Sequence, residues 1–236
     1  WEPVAVLNRS ADGEWLFVES GTCSGWVKKA DVAVADRAEL QKIYARSFLV
    51  VTGNRIRHDI DHNEPNAERP ELSMGTRLPL AADKPASVAG VMTLYSWVVT
   101  LPVRAEDGSL VEKTVRIPFS ADVSAGFLPY TQANFIRQAF KMLGERYGWG
   151  GMWRARDCSA FAKDIYAAFG IELPRNSGQQ ARIPSYHVDL SKLEPAKKEK
   201  LIMKQQSGAI LRMPGHIMLY LGRAGGRAYM INDLYS

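Results

Sequence analysis

The apolar residues of this chain change their spacing at Pro129, and that change limits the fold more than any other feature. Before it they fall in short runs closed by Gly or Asp-Gly. Val4, Val6 and Leu7 lead into Ser10-Ala11-Asp12-Gly13, Trp15-Leu16-Phe17-Val18 runs to a turn at Gly21, and Gly25-Trp26-Val27 follows. Runs of this kind predict a small β barrel. Residues 37–46 break the pattern, because Leu40, Ile43 and Tyr44 have helical spacing. Strands are then predicted over 48–51, closed by Thr52-Gly53-Asn54, and over 94–101 and 114–117, with a turn at 106–109 between the last two. After Pro129, Thr131 is a predicted N-cap, and Phe135, Ile136, Ala139, Phe140 and Leu143 keep helical spacing. A Gly-rich loop, Tyr147-Gly148-Trp149-Gly150-Gly151, leads to a second helix opening near Asp157-Cys158-Ser159. Its predicted buried stripe is Phe161, Ile165, Ala168 and Phe169, with Gly170 as the C′ residue. Strands predicted over 216–222 and 227–232 complete an α+β domain placed after all-β modules.

At 236 residues the chain has room for one ordinary domain and small modules, at roughly 100–200 residues per domain. With 46% hydrophobic and 23% charged residues it is neither disordered nor membrane-spanning in composition. The apolar stretch at 91–99 is too short for a bilayer and is broken by polar residues. The net charge of +5 would suit anionic partners. Lys197-Lys198-Glu199-Lys200 is mixed in sign, however, and no nucleic-acid motif accompanies it, so nucleic acid is not an expected partner. Two cysteines, Cys23 and Cys158, are too few for a disulfide scaffold. The stretch His58-Asp59-Ile60-Asp61-His62 has metal-ligating residue types, but its surroundings, with Asn63, Pro65 and Asn66, predict a solvated loop; no metal or cofactor is expected.

Chemistry concentrates in three places. Cys158 sits at a predicted helix start, where the macrodipole and unpaired N–H groups favour a thiolate and can hold an oxyanion. A lone cysteine is more often a small buried apolar residue, so its partners decide the matter. His216 opens a predicted strand just after the turn residues Pro214-Gly215, with His216, Met218 and Tyr220 on one face and Ile217, Leu219 and Leu221 on the other. A cysteine peptidase needs such a histidine beside the thiol in space. A third residue follows from the hairpin. A three-residue loop at Arg223-Ala224-Gly225 sets Asn232 opposite His216; a four-residue loop through Gly226 sets Asp233 there instead.

Together, Tyr147-Gly148-Trp149-Gly150-Gly151, Arg156-Asp157-Cys158-Ser159, Leu173-Pro174-Arg175-Asn176-Ser177 with Gln180, and Gly215-His216 before Leu219-Tyr220-Leu221-Gly222 resemble the NlpC/p60 cysteine peptidases. The order Asp12-Gly13, Trp15, Gly25-Trp26-Val27 resembles a bacterial SH3-like (SH3b) module, and 37–129 resembles a second, larger one. The resemblance implies an α+β papain-like catalytic domain at 130–236, preceded by two small all-β SH3-like barrels at 1–36 and 37–129, the latter with a short linking helix. It further implies a first module that begins upstream of Trp1 and a catalytic domain that continues past Ser236.

The resemblance implies Cys158 as nucleophile, His216 as base and Asn232 at the third polar position, where the family often has His. Tyr147 would line the site, and Asp157 and Ser159 would hold the substrate's amino end. Gly208-Ala209 stands where the family often has Gly-Asp. The implied activity is hydrolysis of peptidoglycan stem peptides or murein fragments, at the γ-D-glutamyl–diaminopimelate bond, in peptides with a free N-terminal L-Ala. Short connections favour a compact body in which the first module closes one end of the cleft. A wall substrate implies export to the periplasm or cell envelope; recycling of released peptides also fits the cytoplasm. Two other functions fit the same residues: a non-catalytic wall-binding protein, and a Cys-His acyltransferase.

Overall fold

The structure is a computed structural model, and it describes residues 2–61, 63 and 69–234. Contacts between residues divide the chain into one unit up to Phe127 and another from Leu128 onward.

In the first unit, β1 (Ala5–Arg9), β2 (Trp15–Glu19) and β3 (Ser24–Lys28) form an antiparallel meander. Leu16 and Val18 are buried, and Trp26 meets Phe17 edge-on with centroids 5.4 Å apart. The first turn needs a left-handed residue, supplied by Gly13 at φ +74. Asp12 Oδ1 accepts from Glu14 N at 3.0 Å, and Ser10 Oγ accepts from Trp15 N at 2.9 Å. Helix α1 (Arg37–Ala45) is capped by Asp36, whose carboxylate accepts from Glu39 N at 2.7 Å.

Eight more strands follow: β4 (Phe48–Val51), β5 (Arg55–Ile56), β6 (Leu72–Ser73), β7 (Arg77–Pro79), β8 (Ser87–Val88), β9 (Val91–Met92), β10 (Ser96–Arg104) and β11 (Leu110–Pro118), with β12 (Val123–Ala125) closing the unit. The sheet β12-β4-β7 and the hairpin β10-β11 share one core, built from Leu49, Val51, Leu78, Val99, Val115 and Ile117 among others. The hairpin begins two residues later than predicted, because Leu94 and Tyr95 are exposed ahead of it. The meander and this core belong to one unit: Val34 bridges Ser109, and Arg104 Nε donates to Val32 O at 3.1 Å.

The stretch read as a solvated loop is tied down instead. His58 is buried, with Nδ1 2.8 Å from Asp59 O. Asp59 pairs with Arg116 at 2.7 Å and Asp61 with Lys113 at 3.4 Å, both cations coming from β11. His62, Pro65 and Asn66 lie outside the described residues. Among the described residues no group of three His, Cys, Asp or Glu side chains is placed to hold a metal.

In the second unit, α2 (Gln132–Phe140) is capped by Thr131, whose Oγ1 accepts from Asn134 N at 3.2 Å. Then come α3 (Cys158–Ala167), α4 (Ser177–Gln180), α5 (Pro195–Ile202), β13 (Ile210–Met213), β14 (His216–Ala224) and β15 (Arg227–Ile231). The antiparallel sheet is ordered β13-β14-β15, and α3 packs on β14. Phe161, Ile165, Ala168 and Phe169 are all buried, as helical spacing requires. Among the described residues no helix is long and apolar enough to cross a membrane.

The hairpin β14-β15 differs from both predicted loops. Ala224 pairs with Arg227, so the loop is the two residues Gly225-Gly226, at φ +54 and +74. Two successive left-handed residues suit the twist of a tight hairpin, which is why Gly-Gly serves here. Farther along, Tyr220 pairs with Met230 but Gly222 with Tyr229, so Leu221 is a bulge. Burial does not follow the predicted alternation ahead of the bulge: Ile217, Leu219 and Tyr220 are all buried, so both faces of β14 are covered there. Strand β13 was not predicted; it returns through Pro214-Gly215, with Gly215 at φ +77 and Met213 paired to His216.

Candidate active site

Cys158 is the first residue of α3, where helix N–H groups lack internal partners. Asp157 caps this end, accepting from Ala160 N at 2.8 Å. The Cys158 thiol is buried and faces three backbone N–H groups, those of Ile217, Ser159 and Cys158 itself. Burial pushes the thiol above its usual pKa, the Asp157 carboxylate adds to that, and the N–H groups pull against it without prevailing. The thiol is thus left above its usual pKa, against the expectation that a helix start lowers it.

His216 opens β14. Ile217, whose N–H meets the sulfur, is the next residue along β14. His216 Nε2 lies 3.0 Å from Asn232 Oδ1. An amide oxygen only accepts, so Nε2 carries the hydrogen, and Nδ1 of the neutral ring is left with the lone pair. If the pairing of Leu219 with Ile231 continued, Asn232 would face Met218, not His216. Met218 and His216 share a face, so the bond is a diagonal contact across the pair.

Around Cys158 the polar groups are densely cross-linked. Arg175 Nη2 donates to Asp157 Oδ2 at 2.9 Å, and Nη1 donates to Asp157 Oδ1 and to Ser159 Oγ, each at 3.0 Å. Ser159 Oγ donates to Asp157 Oδ1 at 2.9 Å, and Gly150 N to Asp157 Oδ2 at 3.2 Å. Burial raises the Asp157 pKa, but Arg175, the Ala160 N–H and Ser159 outweigh it and hold the carboxyl below its usual range. Gln180 fastens α3 to the motif loop, donating to Ser159 O at 2.9 Å and Pro174 O at 2.8 Å. Tyr147 is half-buried; burial first, and then the nearby Cys158, Asp157 and Asp233, push its phenol up.

Arg175 and Gln180 carry more of the polar network around Cys158 than sequence reasoning assigned them. The signal for Arg175 and Gln180 was present in Leu173-Pro174-Arg175-Asn176-Ser177, but no periodicity links that loop to Asp157.

Residues 144–235 match the NlpC/P60 family model. The second unit carries an NlpC/P60 domain. Residues 1–28 match an SH3 domain of the SH3b1 type. Over 46 residues the chain is 50% identical to a probable endopeptidase p60 of Listeria innocua and 48% identical to that of Listeria monocytogenes; this stretch is 19% of the chain and 10% of either relative. An NlpC/P60 endopeptidase from Photobacterium damselae subsp. piscicida shares the fold, with a TM-score of 0.76 at 22% identity, covering 98% of this chain and 50% of that one. An NlpC/P60 family protein from Bacillus cereus does so with a TM-score of 0.61 at 22% identity, covering 97% and 73%. The chain thus spans half the length of the Photobacterium protein.

The NlpC/P60 domain also depends on how its Gly-rich loop reaches Asp157. Gly148 has extended backbone, yet a Cβ there would meet Met152 O, Ala155 Cβ at 2.6 Å and Ala155 O at 2.8 Å. Backbone atoms cannot swing aside, so Gly148→Ala must displace the loop and pull Gly150 N from Asp157. The expected result is a loss of about 1–3 kcal/mol of stability with at least a tenfold drop in peptide cleavage. Gly25→Ala, which meets nothing within 4 Å, is the control and leaves both unchanged. Thermal melts and a peptide-release assay on the two variants check this.

Proposed function

We propose that the chain is a cysteine peptidase acting on peptidoglycan stem peptides, with Cys158 as nucleophile, His216 as base and Asn232 orienting the imidazole. The observation that carries this reading is the Cys158 thiol lodged among helix N–H groups beside the strand start of His216, whose Nε2 is bonded to Asn232. When a peptide carbonyl docks against the sulfur, the thiol proton passes to His216 Nδ1 and the sulfur attacks the carbonyl carbon. The N–H groups at the start of α3 face the oxygen on which charge develops. The protonated imidazole then gives its proton to the leaving amine, and water hydrolyses the thioester by the same route in reverse.

The substrate bond in this reading is γ-D-glutamyl–diaminopimelate, in peptides with a free N-terminal L-Ala. Tyr147, Asp157 and Ser159 line the end of the site that receives the amine. Such a substrate places the protein in the periplasm or cell envelope, and the SH3b match at 1–28 suits wall polymer as a partner.

The role of Asn232 is open to direct test. Asn232→Ala leaves His216 free to rotate, and kcat is expected to fall roughly 10–100-fold, in line with loss of one orienting hydrogen bond. Asn232→His keeps a polar ring at the same place and is expected to retain more of the activity than Asn232→Ala. Steady-state kinetics on a synthetic L-Ala-γ-D-Glu-diaminopimelate tripeptide measure both; equal rates for Asn232→Ala and the unmodified enzyme would remove Asn232 from the mechanism.

A further inference from the structure

A junction at Ser207-Gly208, just ahead of β13, ties the helix that carries Cys158 to the strand that carries His216. On the sheet side, Gly208 N donates to Tyr220 O at 2.7 Å, Tyr220 N donates to Ala209 O at 2.9 Å, and Ser207 Oγ donates to Leu221 O at the bulge of β14. On the helix side, the Tyr166 phenol of α3 donates to Gly208 O, and Tyr130 Oη donates to Ser207 O at 3.3 Å. The two phenols close over Gly208, which sits at φ +98; a Cβ there would overlap Tyr130 Oη and lie 3.2 Å from Tyr166 Oη. Burial first, and then Tyr130, pushes the Tyr166 phenol far above its usual range, so it stays a donor.

We propose that Tyr166 is a positioning residue for the Cys158–His216 pair: its bond to Gly208 O fixes how far α3 stands along β14. The inference rests on the peptidase reading for what the pair does. Tyr166 follows Cys158 by eight residues of α3, about 12 Å at 1.5 Å per residue. Tyr220, which holds Gly208 N, follows His216 by four residues of β14, about 13 Å at 3.3 Å per residue. The tie thus stands about as far from the thiol along the helix as from the imidazole along the strand. Packing also holds α3 on β14, but packing is non-directional, whereas a hydrogen bond fixes both direction and distance. Asp157, Ser159, Arg175 and Gln180 are bonded to one another around the start of α3 and travel with Cys158. A shift of α3 therefore keeps these groups in place relative to the sulfur and changes its reach to His216.

Alkylation of Cys158 by iodoacetamide at pH 7 tests this without any substrate, on protein carrying Cys23→Ser so that the exposed second thiol is silent. Tyr166→Phe keeps the ring contacts with Tyr130 and Phe135, at centroid separations of 6.2 and 5.5 Å, and removes only the hydroxyl. It should slow alkylation about tenfold, less than the roughly 100-fold that a misplacement of about 1 Å can cost. His216→Ala should slow alkylation too, and Tyr166→Phe added to it should slow it no further, because the tie acts through the imidazole. Tyr130→Phe removes a bond made from outside α3 and should leave the rate unchanged. Ser207→Ala unties the junction from Leu221 O instead, and should repeat the Tyr166→Phe result with the same dependence on His216. In cleavage of the tripeptide, Tyr166→Phe should lower kcat about tenfold and leave KM unchanged. All rates are taken below each variant's melting transition, so that unfolding does not enter.

The inference is overturned if Tyr166→Phe and Ser207→Ala alkylate at the parent rate, or if their slowing is as large without His216 as with it. It is also overturned if Tyr130→Phe slows alkylation as much as Tyr166→Phe does. Alkylation as predicted, with no cleavage of the tripeptide by the unmodified enzyme, would sink the peptidase reading and leave the tie standing. Cleavage at the full rate by Tyr166→Phe would sink the tie and leave the peptidase reading standing.

Discussion

Cys158→Ala is expected to abolish release of the cleaved peptide, with the rate falling roughly ten-thousand-fold or more, as when a covalent nucleophile is removed. The size of the effect follows from the site's design. Burial outweighs the N–H groups around the thiol and raises its pKa, so in the proposed mechanism attack waits on transfer of its proton to His216. Without sulfur there is no thioester. His216→Ala should fall nearly as far, and the double variant hardly farther than either single one, because the two act as a unit. Stability is affected little, since the sulfur is one small atom at the edge of the core, a loss of about 1 kcal/mol. The measurements are product release from the tripeptide, with and without a chelator, and a thermal melt. Full activity in Cys158→Ala would end the cysteine mechanism; loss of activity with chelator alone would point to metal-assisted hydrolysis.

What the sequence disclosed about this site was what is local. Asp157 before Cys158 and Thr131 before α2 are caps that act within a single turn, so both helix starts could be read directly. Pro214-Gly215 marks its own turn, and His216 begins the strand after it. Asn232 was placed near His216 through a three-residue loop that the structure does not contain. The true loop is shorter, the bulge at Leu221 shifts the pairing, and the contact is made diagonally. A bulge leaves no trace in hydrophobic alternation. Arg175 and Asp157 are likewise joined by an ion pair whose partners have no fixed spacing in sequence. In the first unit the two-residue strands β5, β6, β8 and β9 are too short to show any period, which is why only its longer strands were legible.

Arg156→Met is expected to be the most destabilising single change in the NlpC/P60 domain that leaves the catalytic side chains in place. Arg156 is almost fully buried, with Nη1 2.5 Å from Glu145 and Nε 2.7 Å from Asp164. Lys163 reaches the outer oxygen of Asp164 at 3.0 Å, but Arg156 is the cation within the fold. Methionine fills much of the same volume, so packing is largely kept while two carboxylates lose their buried partner. Removing one member of such a group costs about 3–5 kcal/mol, more than the group adds when whole, because the stranded charges stay desolvated. For a unit of this size that is a drop of roughly 10 °C or more in Tm. Adding Glu145→Gln and Asp164→Asn should recover part of the deficit. Activity should fall too, because Arg156 O accepts from Gly148 N at 2.6 Å and carries the loop that delivers Asp157 to α3. Urea melts of the single and triple variants decide the matter: a deficit that is small, or that the two amide substitutions fail to relieve, would mean the buried carboxylates are not what Arg156 holds.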